Sequence, residues 1–583
     1  MLTNQAIVEI QRKHPEHRSK MGFVARLWIP LSAFLFVGAS LILYRSAFQV
    51  FFCLDDLSFL RQAAGLAPWP ESIWRLISTR GFFTLAWHLF GARPEYYHFV
   101  ILVLHGLCAW LVMLLGARLG LSRRGMIIAG LFYLSSPVAF TSLHWISGGQ
   151  EVFFAFFALL TVLSFLAGGR FQIASVFLFG MTLLCKEAGV LLLPALCLVT
   201  PLPRRRRLLL AGSGLLLGAS VLAAIESARV VGSGNPYEAA FGLNVITTLL
   251  KHFAWLVRFW DFYPDRVVTA SAPGLWPWGI LIPALLVFLA WLRISWRRPI
   301  FQATFLFLAL LAPVLPLLRH SYHYYMLVPL IPLWVLLAAG LDQLPSAAHR
   351  FGFVLPILIT LLTIWQGQER RSDMMNERLH ADPVIRYAHL VSDAVDNFRA
   401  TGGPTNAETL MMPGIMAKES MHLSPERSLK KGEVLVHFLI LERALKNVDN
   451  LRLFFPDLKS VSLVRDLDEI PDNKWLEREI YFNSGMVGFS YLGKGILGRY
   501  LFACRMFQNK EYQRARKEIE KLLQIHPGYP QFISELGMIG MVTDNQALVD
   551  SVLTDLGRRA ETGPYKDMAL QEYNLFKTKL GEK

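Results

Sequence analysis

Apolar runs close to twenty residues long recur through the first 366 residues of the chain, separated by short polar or basic turns. A helix needs about 20 such residues to cross a hydrocarbon core, so runs of this length and number leave few folds open. The runs fall at 29–48, 97–117, 126–143, 151–168, 171–185, 188–202, 208–228, 275–293, 300–318, 324–341 and 351–366. The expected fold is a polytopic α-helical membrane protein of about eleven spans. The chain is 54% hydrophobic over 583 residues, too apolar for an ordinary soluble protein of this size.

Charge divides the chain in two. Residues 1–366 carry 28 Lys and Arg against 13 Asp and Glu, whereas residues 367–583 carry 30 of each, so the whole net charge of +15 lies in the first part. A basic excess set between apolar runs flanks membrane spans and is no nucleic-acid footprint. Arg12, Lys13, Arg18, Lys20 and Arg26 precede the first run, Arg123 and Arg124 follow the second, Arg204 to Arg207 the sixth, and Arg293, Arg297 and Arg298 the eighth. With eleven spans all of these fall on one side, the cytoplasm by the positive-inside rule. The N-terminus is then cytoplasmic, and the loops at 49–96 and 229–274 and the C-terminal part lie outside. A single helix over 171–202 would reverse the Arg204–Arg207 side, so two short arms turning at Lys186-Glu187 are expected. The first apolar run starts late and is long, unlike a cleavable signal peptide. Five cysteines, at 53, 108, 185, 197 and 504, make no disulfide framework.

The outer edge on this topology collects Asp55, Asp56, Glu95, His98, His144, Glu151, Lys186, Glu187, Arg319, His320 and His323. Ionisable groups at a membrane edge are costly and mark functional sites. Asp55 and Asp56 are adjacent, and like charges at contact distance raise a pKa or recruit a cation. A helix N-cap, or a belt of interfacial histidines and tyrosines, would account for individual members. Ser72–Ile77 and Asn244–Trp260, the latter with Lys251 and Arg258, have one apolar face each and are expected to lie in the interface.

Five segments then occur in order: Asp55-Asp56; Gly91-Ala92-Arg93-Pro94-Glu95-Tyr96-Tyr97-His98 followed by His105; Trp145-Ile146-Ser147-Gly148-Gly149-Gln150-Glu151; Cys185-Lys186-Glu187 leading to Pro194; and His323-Tyr324-Tyr325 leading to Pro329. Over residues 30–345 this order resembles the GT-C superfamily of membrane glycosyltransferases, in its protein O-mannosyltransferase and TMTC-like branch. Gln150 and His323 stand where that branch carries Arg, and Glu151 where it carries Asp. The resemblance implies transfer of a sugar from a polyprenyl-phosphate donor to an acceptor hydroxyl on the outer face, with inversion. It implies Asp55 as general base and Asp56 as its support or as a ligand to a divalent cation (Mg or Mn). Lys186, Arg319, His323 and Arg258, with Lys251 further out, are the candidates for the donor phosphate. Glu151, Glu187 and His98 would position the acceptor or shape the site. A lipid-linked sugar flippase would instead want mid-membrane polar groups and repeat symmetry, for which Glu226 is the nearest candidate. A polyprenyl-diphosphate-glycan ligase or polymerase would share the donor chemistry without needing the aspartate pair.

After residue 366 a linker and small α/β region are expected over 367–480, with a helix at 384–399 and strands at Thr409–Met412, Glu433–Ile440 and Ser460–Val464. Over 481–583, Ala503, Ala515 and Pro527 fit a 34-residue TPR-like helical frame, with Leu536 and Gly537 opening a poorer second copy. This tail is expected to present an acceptor protein or envelope glycan. A bacterial inner membrane, with the tail in the periplasm, is the expected location.

Overall fold

The computed structural model describes residues 23–227, 239–257, 297–317, 322–343, 409–413, 444–458, 460–464, 496–562 and 565–581, with isolated helical residues between 279 and 288 and between 354 and 399. The chain divides into two compact units, Met1–Asp373 and Met374–Lys583. The first unit is a helical bundle: α1 (Phe23–Leu43), α2 (Asp55–Ala63), α3 (Phe82–Phe90), α4 (Pro94–Arg118), α5 (Arg123–Leu134), α6 (Phe140–His144), α7 (Gln150–Ala167), α8 (Phe171–Cys185), α9 (Leu192–Val199), α10 (Arg204–Ser227), α11 (Leu243–Val257), α12 (Arg297–Leu311) and α13 (Ile331–Asp342).

Four stretches among the described residues are long and apolar enough to cross a membrane: Pro94–Arg118, Arg123–His144, Ser147–Ala167 and Arg204–Ile225. Five shorter apolar helices accompany them: Trp28–Leu43, Phe171–Cys185, Glu187–Val199, Arg298–Val314 and Ile331–Asp342. Much of the expected runs 275–293 and 351–366, the loop 229–238, Arg258, Arg319 and the expected strand 433–440 lie outside the described residues.

Local chemistry explains the breaks. Pro137 has no N–H to give the ladder and pushes Ser136 to an extended conformation (ψ 121°), so the third run divides between α5 and α6. Lys186 is also extended (φ −160°, ψ 127°), ending α8, and Glu187–Leu191 forms a 3-10 turn before α9. The run at 171–202 is therefore two helices meeting at Lys186-Glu187. The run at 324–341 is shorter than expected, because His323–Met326 is a 3-10 turn and the helix starts only at Ile331, beside Pro332. Ser72–Ile77 is no helix: Arg75 takes a positive φ of 48°, and the chain passes into a π-turn at Ile77–Gly81.

Small residues let the bundle close. A Cβ on Gly106 of α4 would lie 2.5 Å from Val37 Cα, and one on Gly130 of α5 would lie 2.6 Å from the Phe36 ring, so α1, α4 and α5 approach at backbone distance. Polar pins reinforce this packing. Ser40 Oγ donates to Leu102 O (2.8 Å) and Tyr44 Oη to Leu134 O (2.9 Å). At the other end of α5, Ser122 donates through its N–H (2.8 Å) and its hydroxyl to Asp342, tying α5 to the end of α13.

In the second unit β1 (Thr409–Pro413) and β2 (Ser460–Val464) pair in parallel, Thr409 opposite Ser460. Five helices follow: α14 (Ile496–Gln508), α15 (Tyr512–Ile525), α16 (Pro530–Val542), α17 (Gln546–Glu561) and α18 (Lys566–Gly581). α14 and α16 start 34 residues apart, as do α15 and α17. Ala503 and Ala515 are buried, and a Cβ on Gly537 would meet the Phe576 ring at 2.4 Å.

Gly106→Ala is expected to lower the melting temperature in detergent, because backbone at 2.5 Å cannot yield as a side chain can; overpacking of this kind destabilises by about 1–3 kcal/mol. Gly38→Ala on the facing helix, with nothing within 4 Å, should leave the melting temperature equal or higher, since alanine is the better helix former.

Candidate functional site

The polar end of the first unit is organised by the turn that leads into α7. Asp55 and Asp56 open α2, where two carboxylates suit the helix dipole. Leu54, just before them, is held at φ 53°, a conformation an L side chain rarely adopts. Asp56 is fully buried. Its Oδ1 accepts from Ser147 N (2.6 Å) and from the Ser147 hydroxyl, and its Oδ2 accepts from Cys53 N (3.1 Å). Burial raises its pKa from 3.8 to about 7, against the pull of these donors and with a further push from Asp55. Asp55 remains partly exposed. The two aspartates therefore occupy different environments, one fixed inside the protein and one at its surface.

Ser147–Gly149 forms a 3-10 turn, and Gln150 and Glu151 begin α7 directly after it. Arg75 Nη1 donates to Gln150 Oε1 (2.6 Å), while its Nε and Nη2 grip both oxygens of Glu187 (3.1 and 2.8 Å). Lys186 donates to Glu151 Oε1, with both side chains almost wholly buried, and its Nζ lies 4.0 Å from the centre of the Tyr325 ring. Ser78 Oγ donates to Cys185 O (2.7 Å), anchoring the π-turn to the end of α8. Two cations and two carboxylates thus interlock around the start of α7, one step in the chain from the Asp56 clamp.

Lys186, Glu151 and Glu187, expected at a common edge, do come together. His323 is two residues from Tyr325: Thr141 Oγ1 and His323 Nε2 are 3.2 Å apart, and its ring meets Trp255 and Tyr324 edge-on. His98 is buried, with Nδ1 3.0 Å from Leu143 O and Nε2 3.2 Å from Val50 O, so it bears on the site by holding the backbone on either side of it. Lys251 is half-buried on α11. Arg258 and Arg319 lie outside the described residues.

For a divalent cation the donor set is poor. Among the described residues no three His, Cys, Asp or Glu side chains converge, and both oxygens of Asp56 already accept hydrogen bonds from N–H or O–H groups.

Sequence reasoning missed Arg75, Ser147, Gln150 as a ligand of Arg75, and Tyr325. Arg75 had a signal, as an arginine inside an otherwise apolar outer segment, but the expected amphipathic helix assigned it to a solvated face. Ser147 lay inside the Trp145–Glu151 segment but had no signal of its own there, because a serine in a Gly-rich turn is ordinary. No protein-family model, curated protein or solved structure matches the chain.

Removing one partner of a buried pair leaves a charge stranded. Lys186→Met is expected to destabilise by about 3–5 kcal/mol, whereas Lys186→Met/Glu151→Leu should recover most of that loss; chemical denaturation in detergent measures both. Asp56 binds its proton more tightly folded than unfolded, so its contribution to stability is fully present below pH 3.8 and is lost as pH rises towards about 7. Melting temperatures across that window should fall more steeply in the native protein than in Asp56→Asn.

Proposed function

We propose that the chain is an integral-membrane glycosyltransferase that moves a sugar from a polyprenyl-phosphate donor to an acceptor hydroxyl, with inversion. The observation that carries this reading is the placement of a partly exposed carboxylate, Asp55, beside a buried and multiply anchored one, Asp56, next to the interlocked cations Arg75 and Lys186. The order of motifs along the chain supports the same reading.

In this mechanism the acceptor oxygen attacks the anomeric carbon while the bond from that carbon to the phosphate oxygen breaks. The hydroxyl proton passes to Asp55, and the polyprenyl phosphate leaves with one more negative charge. A general base within hydrogen-bond reach contributes about 10²–10⁴ in rate. Asp56, fixed by Ser147 and Cys53, keeps the first turn of α2 in register so that Asp55 meets the acceptor. The leaving phosphate needs charge-assisted donors. An ammonium has three N–H donors, of which Glu151 takes one, so Lys186 is the first candidate, with Arg75 added by the geometry and His323, Arg258 and Arg319 by the resemblance. Glu151 and Glu187 orient these cations, and His98 shapes the pocket.

On this reading the spans number about eleven, the N-terminus is cytoplasmic, and the Asp55–Asp56 turn and the C-terminal unit face the periplasm of a bacterial inner membrane. A lipid-linked donor suits that side, where nucleotide sugars are not supplied. The 34-residue step of α14–α17 supports a TPR-like module that presents the acceptor, a protein or envelope glycan.

The test is sugar transfer by purified full-length protein, given a panel of polyprenyl-phosphate monosaccharides and an envelope acceptor extract. Asp55→Asn is expected to reduce turnover by about 10²–10⁴ with the melting temperature and donor binding unchanged. Asp56→Asn, which sets an amide N–H₂ against the Cys53 N–H, should lower stability and turnover together. Full transfer by Asp55→Asn would remove the proposed base. No turnover of any donor by folded protein would favour a diphosphate-glycan ligase or a flippase.

A further inference from the structure

A cavity of about 590 Å³ runs between α4, α7, α9, α12 and α13. Its walls are mainly aliphatic: Ala158 and Val162 on α7, Leu196 on α9, Leu306 on α12, Val335 and Ala339 on α13. One end stops at Leu192 and Val328, within a few residues of Glu187 and Tyr325. The other end opens at the opposite end of the bundle from Asp56, among Gly120, Thr200, Arg298 and Gln343. The lining on α12 runs from Arg298 to Leu310, and that on α13 from Ile331 to Asp342. At about 1.5 Å per residue these walls are about 17–18 Å long. Half of a hydrocarbon core of about 30 Å is about 15 Å, so the slot has the depth of a single leaflet.

The mouth is basic. Arg298 lines it and is exposed. The turns that pass it at Leu121 and Thr200 lead directly to exposed Arg123 and Arg204–Arg206. The one carboxylate in the lining, Asp342, accepts the N–H and hydroxyl of Ser122, and Gln302 Nε2 donates to Val199 O (2.7 Å). Both groups are engaged by the protein; Asp342 keeps its charge, and Arg298 with the nearby Arg123 and Arg204–Arg206 gives the opening its net positive balance.

We propose that this cavity holds one acyl chain of an anionic phospholipid from the leaflet at that end of the bundle, with the lipid phosphate at Arg298. The length of the slot, its aliphatic walls and its basic rim match such a lipid. A polyprenyl chain is several times longer than the slot, and its phosphate would have to lie at the Asp55 end. The bound lipid would brace α12 and α13 against α7, beneath the charged network.

The test is lipid retention, read by native mass spectrometry on full-length protein titrated with phosphatidylglycerol, phosphatidylcholine or a polyprenyl phosphate in mixed micelles. Phosphatidylglycerol should form a one-lipid adduct at least about fivefold more readily than phosphatidylcholine, and Arg298→Gln should erase that preference. Ala339→Phe, which fills the slot, should remove the adduct while transfer-independent folding, read by the melting temperature, persists. Val162→Phe does the same from the opposite wall should the first variant fail to fold. An adduct unaffected by either filling variant would falsify the proposal. So would preferential retention of the polyprenyl phosphate that a filling variant abolishes, since the slot would then seat the donor tail. Because no sugar transfer is measured, the outcome is independent of the proposed catalytic reading.

Discussion

Everything at the polar end of the bundle hangs on the five residues that lead into α7. Ser147 holds Asp56, Gln150 holds Arg75, and Glu151 holds Lys186. Three segments distant in sequence, the start of α2, the turn at Arg75 and the junction of α8 with α9, are therefore located by one short stretch. Each tether is charge-assisted and sheltered from water, where such bonds are strong and an unpaired member is costly. The buried Lys186–Glu151 pair and the partly buried Arg75–Glu187 pair add little net stability over apolar residues of the same shape, because desolvation offsets their attraction. What they supply is a single arrangement. Stability is expected instead from apolar packing, helped where small residues such as Gly106 let helices close to backbone distance.

Strain sits where this arrangement is made. Leu54 and Arg75 both adopt positive φ without being glycine, and each such residue costs about 1–3 kcal/mol unless its surroundings enforce it. Leu54 immediately precedes the aspartate pair, and Arg75 is the residue that grips Glu187 and Gln150. The backbone is bent there so that α2 can start with Asp56 facing Ser147, and so that one guanidinium spans two helices.

Much of the helical frame was legible because apolar runs report helices directly. The two arms at 171–202 were legible from the arginines that follow them, since a basic cluster constrains which side a helix ends on. The break at Pro137 and the late start of α13 were not anticipated, because hydropathy over 126–143 and 324–341 is continuous and conceals where the backbone ladder is interrupted. At the site, Asp55, Asp56, Glu151, Lys186 and Glu187 stood out as scarce charges in an apolar context. Arg75 did not, because a charge in a segment expected to be amphipathic has a ready explanation as a solvated group.

The sequence by itself determined the helical class, the concentration of basic charge in the first 366 residues, and the scarcity that singled out the acidic pair. These follow from composition and period, which act locally along the chain. Tertiary structure decided which aspartate is buried and which is open, which carboxylate each cation takes, and where the aliphatic slot lies. Those outcomes depend on contacts between residues 35 to 112 positions apart, such as Lys186 with Glu151 and Arg75 with Glu187. No local pattern encodes such a pairing, because it is selected by the packing of whole helices and by the cost of leaving any one charge unpaired inside.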